Sequence, residues 1–96
     1  MSVRFEWDSK KAAQNLKKHG VSFDEAMTVF NDPLAKIFDD PDHSEAERRE
    51  IIMGSSIRKR LLFVCFCERI EDVIRIVSAR TLTSAERRDY EKTNFK

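Results

Sequence analysis

The sequence lacks the features that mark membrane and secreted proteins. No apolar run approaches the roughly 20 residues that a membrane-spanning helix needs. The first residues lack the basic-then-apolar pattern of a secretion signal. The only two cysteines, Cys65 and Cys67, lie two apart in one apolar run, where a disulfide between them would be strained. We therefore expect buried, reduced thiols and a cytoplasmic protein.

A recognisable ligand set for a metal or cofactor is also absent. An acidic segment contains Asp39, Asp40, Asp42, His43 and Glu45. It has neither the ligand spacing and central glycine of a calcium loop nor a second histidine nearby for zinc. We interpret it as a solvated acidic loop. A chain of 96 residues also leaves little room for the cavity that a bulky cofactor requires, so we expect no cofactor and no metal.

The chain has no large excess of charge of either sign, but its charges are unevenly distributed. The net charge is only +1, and the length predicts a single domain over residues 1–96. Residues 1–30 carry a net charge of +1, residues 31–54 of −4 and residues 55–96 of +4. This acidic middle and basic end predict a dipolar surface whose basic part suits an anionic ligand.

Hydrophobic periodicity predicts eight elements. Strands are expected at 3–7, 34–38, 48–55, 61–67 and 73–79, and helices at 9–19, 22–31 and 83–94. The stretch at 61–67 is apolar on both faces, which is typical of a central strand. The order β-α-α-β-β-β-β-α, with short connections between strands, predicts an α+β fold. In this fold an antiparallel sheet packs against the two N-terminal helices, and a C-terminal helix follows it.

Capping signals locate the helix ends. The segments Ser22–Glu25 and Thr83–Glu86 both fit the capping box, in which two side chains satisfy free backbone N–H groups. Asp8 or Ser9 can cap the first helix, and Gly20 ends it where a positive φ costs least. The predicted inward positions of this first helix are Ala12, Ala13 and Leu16.

Several motifs are spread over nearly the whole chain, and they include Phe5–Asp8, Lys18–Phe23, Ile74–Arg80 and the pair Glu86–Arg87 followed by Tyr90. In this order they resemble the BrnT toxins. The resemblance implies a RelE-like fold and a ribonuclease toxin of a type II toxin–antitoxin pair. It also implies a BrnA-type antitoxin with a ribbon-helix-helix part, which neutralises the toxin, forms a heterotetramer with it and binds operator DNA. The toxin would reach operator DNA only through that antitoxin.

RNA cleavage without a metal needs positive charge at the phosphate, and arginine provides it with a planar fork. Our hypothesis is that Arg80 faces the scissile phosphate, with Arg58 and Arg60 beside it. Arg75 lies five residues before Arg80, so on a regular strand the two would face opposite sides. Arg75 is therefore either a second phosphate contact or the ion-pair partner of a carboxylate such as Glu50.

Three residues are candidates for proton transfer, each with an alternative role. His19 has a suitable pKa range, but it also suits a helix C-terminus, where it interacts with the dipole. Tyr90 is a proton donor, a stacking platform for a base or a core residue. Glu50 acts as a base if it lies beside the arginines. Candidate RNA-binding residues, which could equally serve solubility, are Lys17, Lys18, Arg87 and Arg88.

The sequence therefore predicts a metal-independent endoribonuclease that cuts mRNA and inhibits translation. Attack by the 2′-OH would leave a 2′,3′-cyclic phosphate or 3′-phosphate and a 5′-hydroxyl. Two alternatives use the same basic residues. One is a non-catalytic module that binds the antitoxin, and the other is a nucleic-acid-binding regulator without cleavage.

Overall fold

A computed structural model describes residues 3–40 and 48–94, and its elements follow the predicted order. The strands are β1 (Arg4–Glu6), β2 (Lys36–Asp39), β3 (Glu50–Ser55), β4 (Leu61–Ile70) and β5 (Val73–Thr81). The helices are α1 (Ser9–His19), α2 (Phe23–Thr28) and α3 (Ser84–Asn94), with a 3-10 helix (Val29–Asn31) directly after α2. The predicted α+β fold is confirmed. No helix within these ranges is long and apolar enough to cross a membrane.

The five strands form one mixed sheet in the order β1-β5-β4-β3-β2. Strands β2 to β5 make the predicted antiparallel meander, with β4 central. The first strand differs from the prediction, because β1 pairs with β5 in parallel. Alternation of apolar and polar residues identifies the two faces of a strand but carries no information on the direction of its neighbour. The antiparallel prediction therefore holds for four of the five strands.

Helices α1 and α2 pack on one side of the sheet, which we call the helix face. The core on this face includes Phe23 and Val29 from the helical layer and Leu62, Val64 and Ile76 from the sheet. We call the opposite side the distal face. Its row of paired positions on β3, β4 and β5 includes Met53, Phe63 and Arg80. The main core cluster lies on the helix face, whereas the distal face carries arginines as well as the buried Ile51, Cys65 and Cys67.

An irregularity in β5 determines which arginines share a face. Arg75 pairs with Cys67, and Arg80 pairs with Phe63, four positions earlier on β4. The register shift between these pairs leaves Val77 as an extra residue on β5, a β-bulge. Regular alternation would place the two arginines on opposite faces, but the bulge places both on the distal face, about 13 Å apart along the strand.

Helix α1 contacts the sheet through a residue that the apolar pattern did not indicate. Ala12 is half-buried as predicted, but Ala13 and Leu16 are exposed, Leu16 by 51%, so that part of the prediction was wrong. The buried residue of α1 is Asn15. Its side-chain Nδ2 donates to the Ala79 carbonyl (2.8 Å) and its Oδ1 accepts from the Ala79 N–H (3.1 Å).

The helix caps form largely as predicted. Asp8 caps α1 by accepting from two backbone N–H groups at 2.8 and 3.2 Å. Ser22 accepts from the N–H of Glu25 (3.0 Å), but the carboxylate of Glu25 binds elsewhere. The capping box between Thr83 and Glu86 is complete in both directions, at 2.9 and 3.2 Å.

The two cysteines are buried and unbonded to each other, as expected. Burial, with the nearby Asp40 carboxylate, raises the pKa of Cys65 to about 11, so its thiol stays protonated. Of the predicted acidic loop, Asp42, His43 and Glu45 lie outside the described residues. Within the described ranges, no group of three or more His, Cys, Asp or Glu residues is placed to hold a metal ion.

Candidate functional site

Arg80 lies at the end of β5 with its guanidinium held in one orientation. The guanidinium carbon stands 4.0 Å from the centre of the Phe63 ring, a cation–π contact. Its Nη1 and Nη2 donate to the two carboxylate oxygens of Glu86 at 2.8 and 2.9 Å, and Nη1 also donates to the Thr81 carbonyl. None of these bonds uses Nε. About a third of the side chain (34%) stays exposed, so solvent and ligands can reach it.

Glu86 stabilises this orientation as a carboxylate. The bidentate bond from Arg80 and, to a lesser extent, the bond from the Thr83 N–H together lower the pKa of Glu86 to about 2, against the opposing effect of burial. Glu86 is therefore ionised at neutral pH and too weak a base to take a proton from a ribose hydroxyl efficiently. The sequence predicted its capping role, and the structure adds the role of orienting Arg80.

A second arginine–glutamate cluster surrounds the buried carboxylate of Glu25, whose side chain is 4% exposed. Arg60 binds it with two bonds, Nε to Oε2 at 2.9 Å and a shorter one from Nη2 to Oε1. Ser56 Oγ donates to it at 2.7 Å, and Arg58 Nη1 lies 3.8 Å away. The Arg60 bond lowers the pKa of Glu25, while burial opposes that shift. Sequence reasoning missed this cluster because Glu25 and Arg60 lie 35 residues apart.

The structure corrects the predicted grouping of Arg58 and Arg60 beside Arg80. Arg60 is the residue directly before β4, and its side chain lies on the side of the helix face. There its Nη2 also donates to the Gly20 carbonyl (3.1 Å). Arg80 projects from the distal face, where it stacks on Phe63. The two guanidinium groups therefore occupy opposite faces at the same end of the sheet.

Arg75 forms an ion pair, but with a different carboxylate from the one expected. Its Nη1 lies 3.0 Å from Oε2 of Glu6, its neighbour on the parallel strand β1. Glu50 cannot fill that role, because it pairs with Phe66 on the helix-face row of β3 and β4. This position also removes Glu50 as a base beside Arg80, which lies on the distal face. Both predictions for Glu50 are thereby corrected.

The other two proton-transfer candidates lie in different surroundings from each other. His19 is the exposed last residue of α1 and borders a shallow cleft of about 210 Å³ with Val77 and Ser78. This position at a helix C-terminus matches its alternative role. Tyr90 is buried, and its hydroxyl lies 3.2 Å from Asp32 Oδ2 and 3.4 Å from the Leu34 carbonyl. Tyr90 thus connects α3 to the segment between the 3-10 helix and β2, which matches its alternative role as a core residue.

The predicted RNA-binding residues are all exposed and fall on two helices. Lys17 and Lys18 occupy the last turn of α1, and Arg87 and Arg88 lie on α3. Arg87 forms a weak ion pair with Glu91 at 3.7 Å. The Arg60–Gly20 bond places the β3–β4 hairpin beside the end of α1, so basic groups from three elements occupy the same end of the molecule.

Comparison with known proteins decides the family. The profile described as "Ribonuclease toxin, BrnT, of type II toxin-antitoxin system" matches residues 7–86. The chain belongs to the BrnT family. Membership in this family of type II toxins implies an RNA substrate and an antitoxin partner.

A solved structure supports the fold of this BrnT-family chain. The crystal structure of the Brucella abortus ribonuclease toxin, BrnT, is similar to it with a TM-score of 0.66 and 21% sequence identity. The match covers 86% of this chain and 100% of the Brucella chain. At that identity the likeness demonstrates the shared fold. No curated protein sequence matches the chain significantly.

Proposed function

We propose that this BrnT-family chain is a metal-independent endoribonuclease that cuts mRNA in the cytoplasm and thereby inhibits translation. The observation that carries the proposal is the guanidinium of Arg80. It is partly exposed, stacked on Phe63 and fixed by Glu86, with its Nε–H not used in these bonds. A fixed cation that does not have to reorganise during the reaction stabilises the charge that develops on a phosphate most effectively.

The proposed reaction is a transesterification. The 2′-oxygen attacks the phosphorus, the bond from phosphorus to the 5′-oxygen breaks, and the products are a 2′,3′-cyclic phosphate and a 5′-hydroxyl. Arg80 binds the non-bridging oxygens as their negative charge increases. Glu50 lies on the opposite face of the sheet from Arg80, and the Tyr90 hydroxyl is engaged with Asp32, so in this proposal the 2′-OH proton leaves to water and the 5′-oxygen takes a proton from water.

We further propose that the antitoxin is BrnA-type. Its ribbon-helix-helix part would dimerise and bind operator DNA, and the toxin would join the complex as one half of a heterotetramer. Membership in a type II toxin family supports this arrangement.

The test is cleavage of a single-stranded RNA by the purified chain in excess EDTA. We expect wild type to cut and leave 5′-hydroxyl ends, and Arg80→Ala to lose about 100-fold or more in rate, the effect of removing a donor at a developing anion. Arg80→Lys keeps the charge without the fork and should fall between them. Arg80→Ala purified in the same way controls for contaminating nuclease, and Lys10→Gln, an exposed charge change on α1, should keep the wild-type rate. Magnesium-dependent cleavage with 5′-phosphate ends would contradict the mechanism.

One observation favours a second function. Arg60, Arg75 and Arg80 each pair with a glutamate, which is also what a purely structural role would produce. In that case the chain is a non-catalytic module that binds the antitoxin or nucleic acid and takes part in operon regulation. Tight antitoxin binding without cleavage of free or ribosome-bound mRNA would establish this second function in place of the first.

A further inference from the structure

A cleft of about 350 Å³ opens between the β3–β4 hairpin and the start of α3. Its lining consists of Lys59, Arg60, Leu61, Thr81, Leu82 and Arg87. Three of these six residues are cationic and none is acidic. The cleft also lies between the two arginine–glutamate clusters. It includes Arg60 of the Glu25 cluster, and it includes Thr81 and Arg87, which directly follow Arg80 and Glu86 in the sequence.

The free positive charge in this cleft comes from Lys59 and Arg87. The charge of Arg60 is balanced by Glu25, which it binds with two bonds. Arg87 is exposed, and its only ion pair among the described residues is the 3.7 Å contact with Glu91, which solvent screens strongly. An anionic ligand in the cleft would therefore meet two available cations, Lys59 on the β3–β4 hairpin and Arg87 on α3.

The backbone of Lys59 provides an independent observation. Lys59 has φ of +64°, a left-handed conformation that is costly for a residue with a β-carbon. The hairpin is closed by bonds from Lys59 N to Ser56 O (2.8 Å) and from Ser56 N to Arg60 O (2.9 Å). Glycine or asparagine is the preferred residue at such a turn position. A lysine at this position adopts a backbone conformation that its side chain disfavours, and such conflicts between sequence and local structure concentrate at functional sites.

We propose that this cleft binds a backbone phosphate of the RNA next to the scissile one. The inference rests on the proposed function, in which Arg80 acts on the scissile phosphate. Thr81 follows Arg80 directly, and the N–H of Leu82 donates to the Leu61 carbonyl (3.1 Å), which fixes this wall of the cleft. A phosphate held by Lys59 and Arg87 would set the register of the strand relative to Arg80.

The test measures binding of a short single-stranded RNA whose 2′-hydroxyls are all methylated, which prevents cleavage. Lys59→Gly and Arg87→Gln should each weaken binding several-fold at low salt. Each should also reduce the slope of log K against log salt concentration by about 0.7, the value for one phosphate contact with a single strand. The matched control Lys10→Gln, which changes the same charge on the exposed face of α1, should keep the wild-type slope.

The fold of the variants can be separated from their binding. Lys59→Gly should keep the wild-type melting temperature, because relief of the positive φ offsets the entropy that glycine adds to the unfolded chain. Lys59→Asn is a second variant that tolerates this conformation and should behave in the same way. Weaker RNA binding with an unchanged melting temperature would therefore report the lost charge.

The outcomes for the cleft and for the nuclease are distinguishable. If wild type cuts RNA but the cleft variants bind methylated RNA with the wild-type affinity and slope, the cleft proposal is overturned and the nuclease stands. If wild type never cuts but the variants lose affinity and slope, the cleft stands and the nuclease fails. Loss of antitoxin binding by the variants, with RNA binding unchanged, would also overturn the cleft proposal, because the cleft would then be an antitoxin contact.

Discussion

The carboxylate of Glu86 satisfies two demands with one side chain. It accepts from the Thr83 N–H to begin α3, and it binds both Nη atoms of Arg80. A capping glutamate is ordinarily solvent-exposed and replaceable. Here its second role couples the start of α3 to the proposed phosphate-binding group, so the position of Arg80 depends on the helix that follows it.

This coupling predicts a specific dependence of stability on pH. The pKa of Glu86 in the folded chain is about 2, below its ordinary value of 4.5, so the ionised carboxylate favours folding. That contribution is complete above about pH 4.5 and is lost as the pH falls towards 2. Glu86→Gln keeps the capping geometry but removes the charge, and should lower the free energy of unfolding by about 1–2 kcal/mol at pH 6.

Urea unfolding at a series of pH values measures this difference. The gap between wild type and Glu86→Gln should narrow as the pH falls from about 4.5 to 2 and close below that, because Glu86 is protonated first in the unfolded chain and then in the folded chain. Glu91→Gln, which removes an exposed and distant partner of Arg87, is the matched control and should change little. A gap that persists unchanged at pH 2 would show that the charge of Glu86 is not its cause.

The elements themselves were largely predictable from local signals, and the exceptions have a common origin. The capping boxes, the alternation along the strands and the spacing of the apolar residues in α2 depend on residues close in sequence. Asn15 and the bulge at Val77 depend on distant partners. Strand β1 pairs with β5 only as far as Arg75, so the edge of β5 at Ala79 lies beyond its end. The side-chain amide of Asn15 provides the donor and acceptor that a neighbouring strand would have supplied there.

The same distinction explains what could be predicted of the candidate site. Arg80 was chosen as a candidate because it lies where a strand passes into a helix, which is a local feature. The partners of Arg60 and Arg75 were not, since Glu25 and Glu6 are brought to them only by the fold. It was also impossible to predict from the sequence that Arg75 and Arg80 share a face of the sheet, because one extra residue in β5 reverses the alternation of its side chains.

The two glycines of the sequence differ in the space around them, and Gly54 lies where the 3-10 helix packs on the sheet. A β-carbon on Gly54 would stand 2.9 Å from Ala35 Cβ and from Asp32 Oδ2, and 3.1 Å from a Val29 methyl. Gly54→Ala should therefore lower the free energy of unfolding by about 2–3 kcal/mol through overpacking. Gly20→Ala meets no atom within 4 Å and should cost only about 1 kcal/mol, owing to its φ of +70°.

Urea unfolding of both variants, with hydrogen exchange of α3, checks these values. Asp32 accepts from the Ser55 N–H (2.7 Å) as well as from Tyr90, so displacement of its carboxylate in Gly54→Ala should also speed amide exchange in α3. Gly20→Asn, which tolerates a positive φ, should cost less than Gly20→Ala. A Gly54→Ala protein as stable as wild type would show that the 3-10 helix does not press on β3 at this point.

At the scale of the whole molecule, β1 connects the start of the chain to the last strand and the core. An edge-to-face row of rings runs from Phe5 on β1 to Phe30 at 5.1 Å and from Phe30 to Phe66 on β4 at 5.0 Å. The sole tryptophan, Trp7, packs edge-to-face on Phe23 at 5.9 Å. These contacts place a fluorescent probe at the junction of β1 with the helical layer.

We therefore predict that the chain unfolds as one cooperative unit. Urea transitions followed by Trp7 fluorescence and by far-ultraviolet circular dichroism should coincide, because β1 shares its packing with α2 and β4 and cannot separate without exposing their rings. Phe5→Ala should shift both transitions together, by about 2 kcal/mol for this half-buried ring. Val3→Ala, at an exposed position, should shift neither appreciably. A fluorescence transition that precedes the dichroism transition would mean that β1 detaches first, leaving Arg75 without Glu6 and the edge of β5 open.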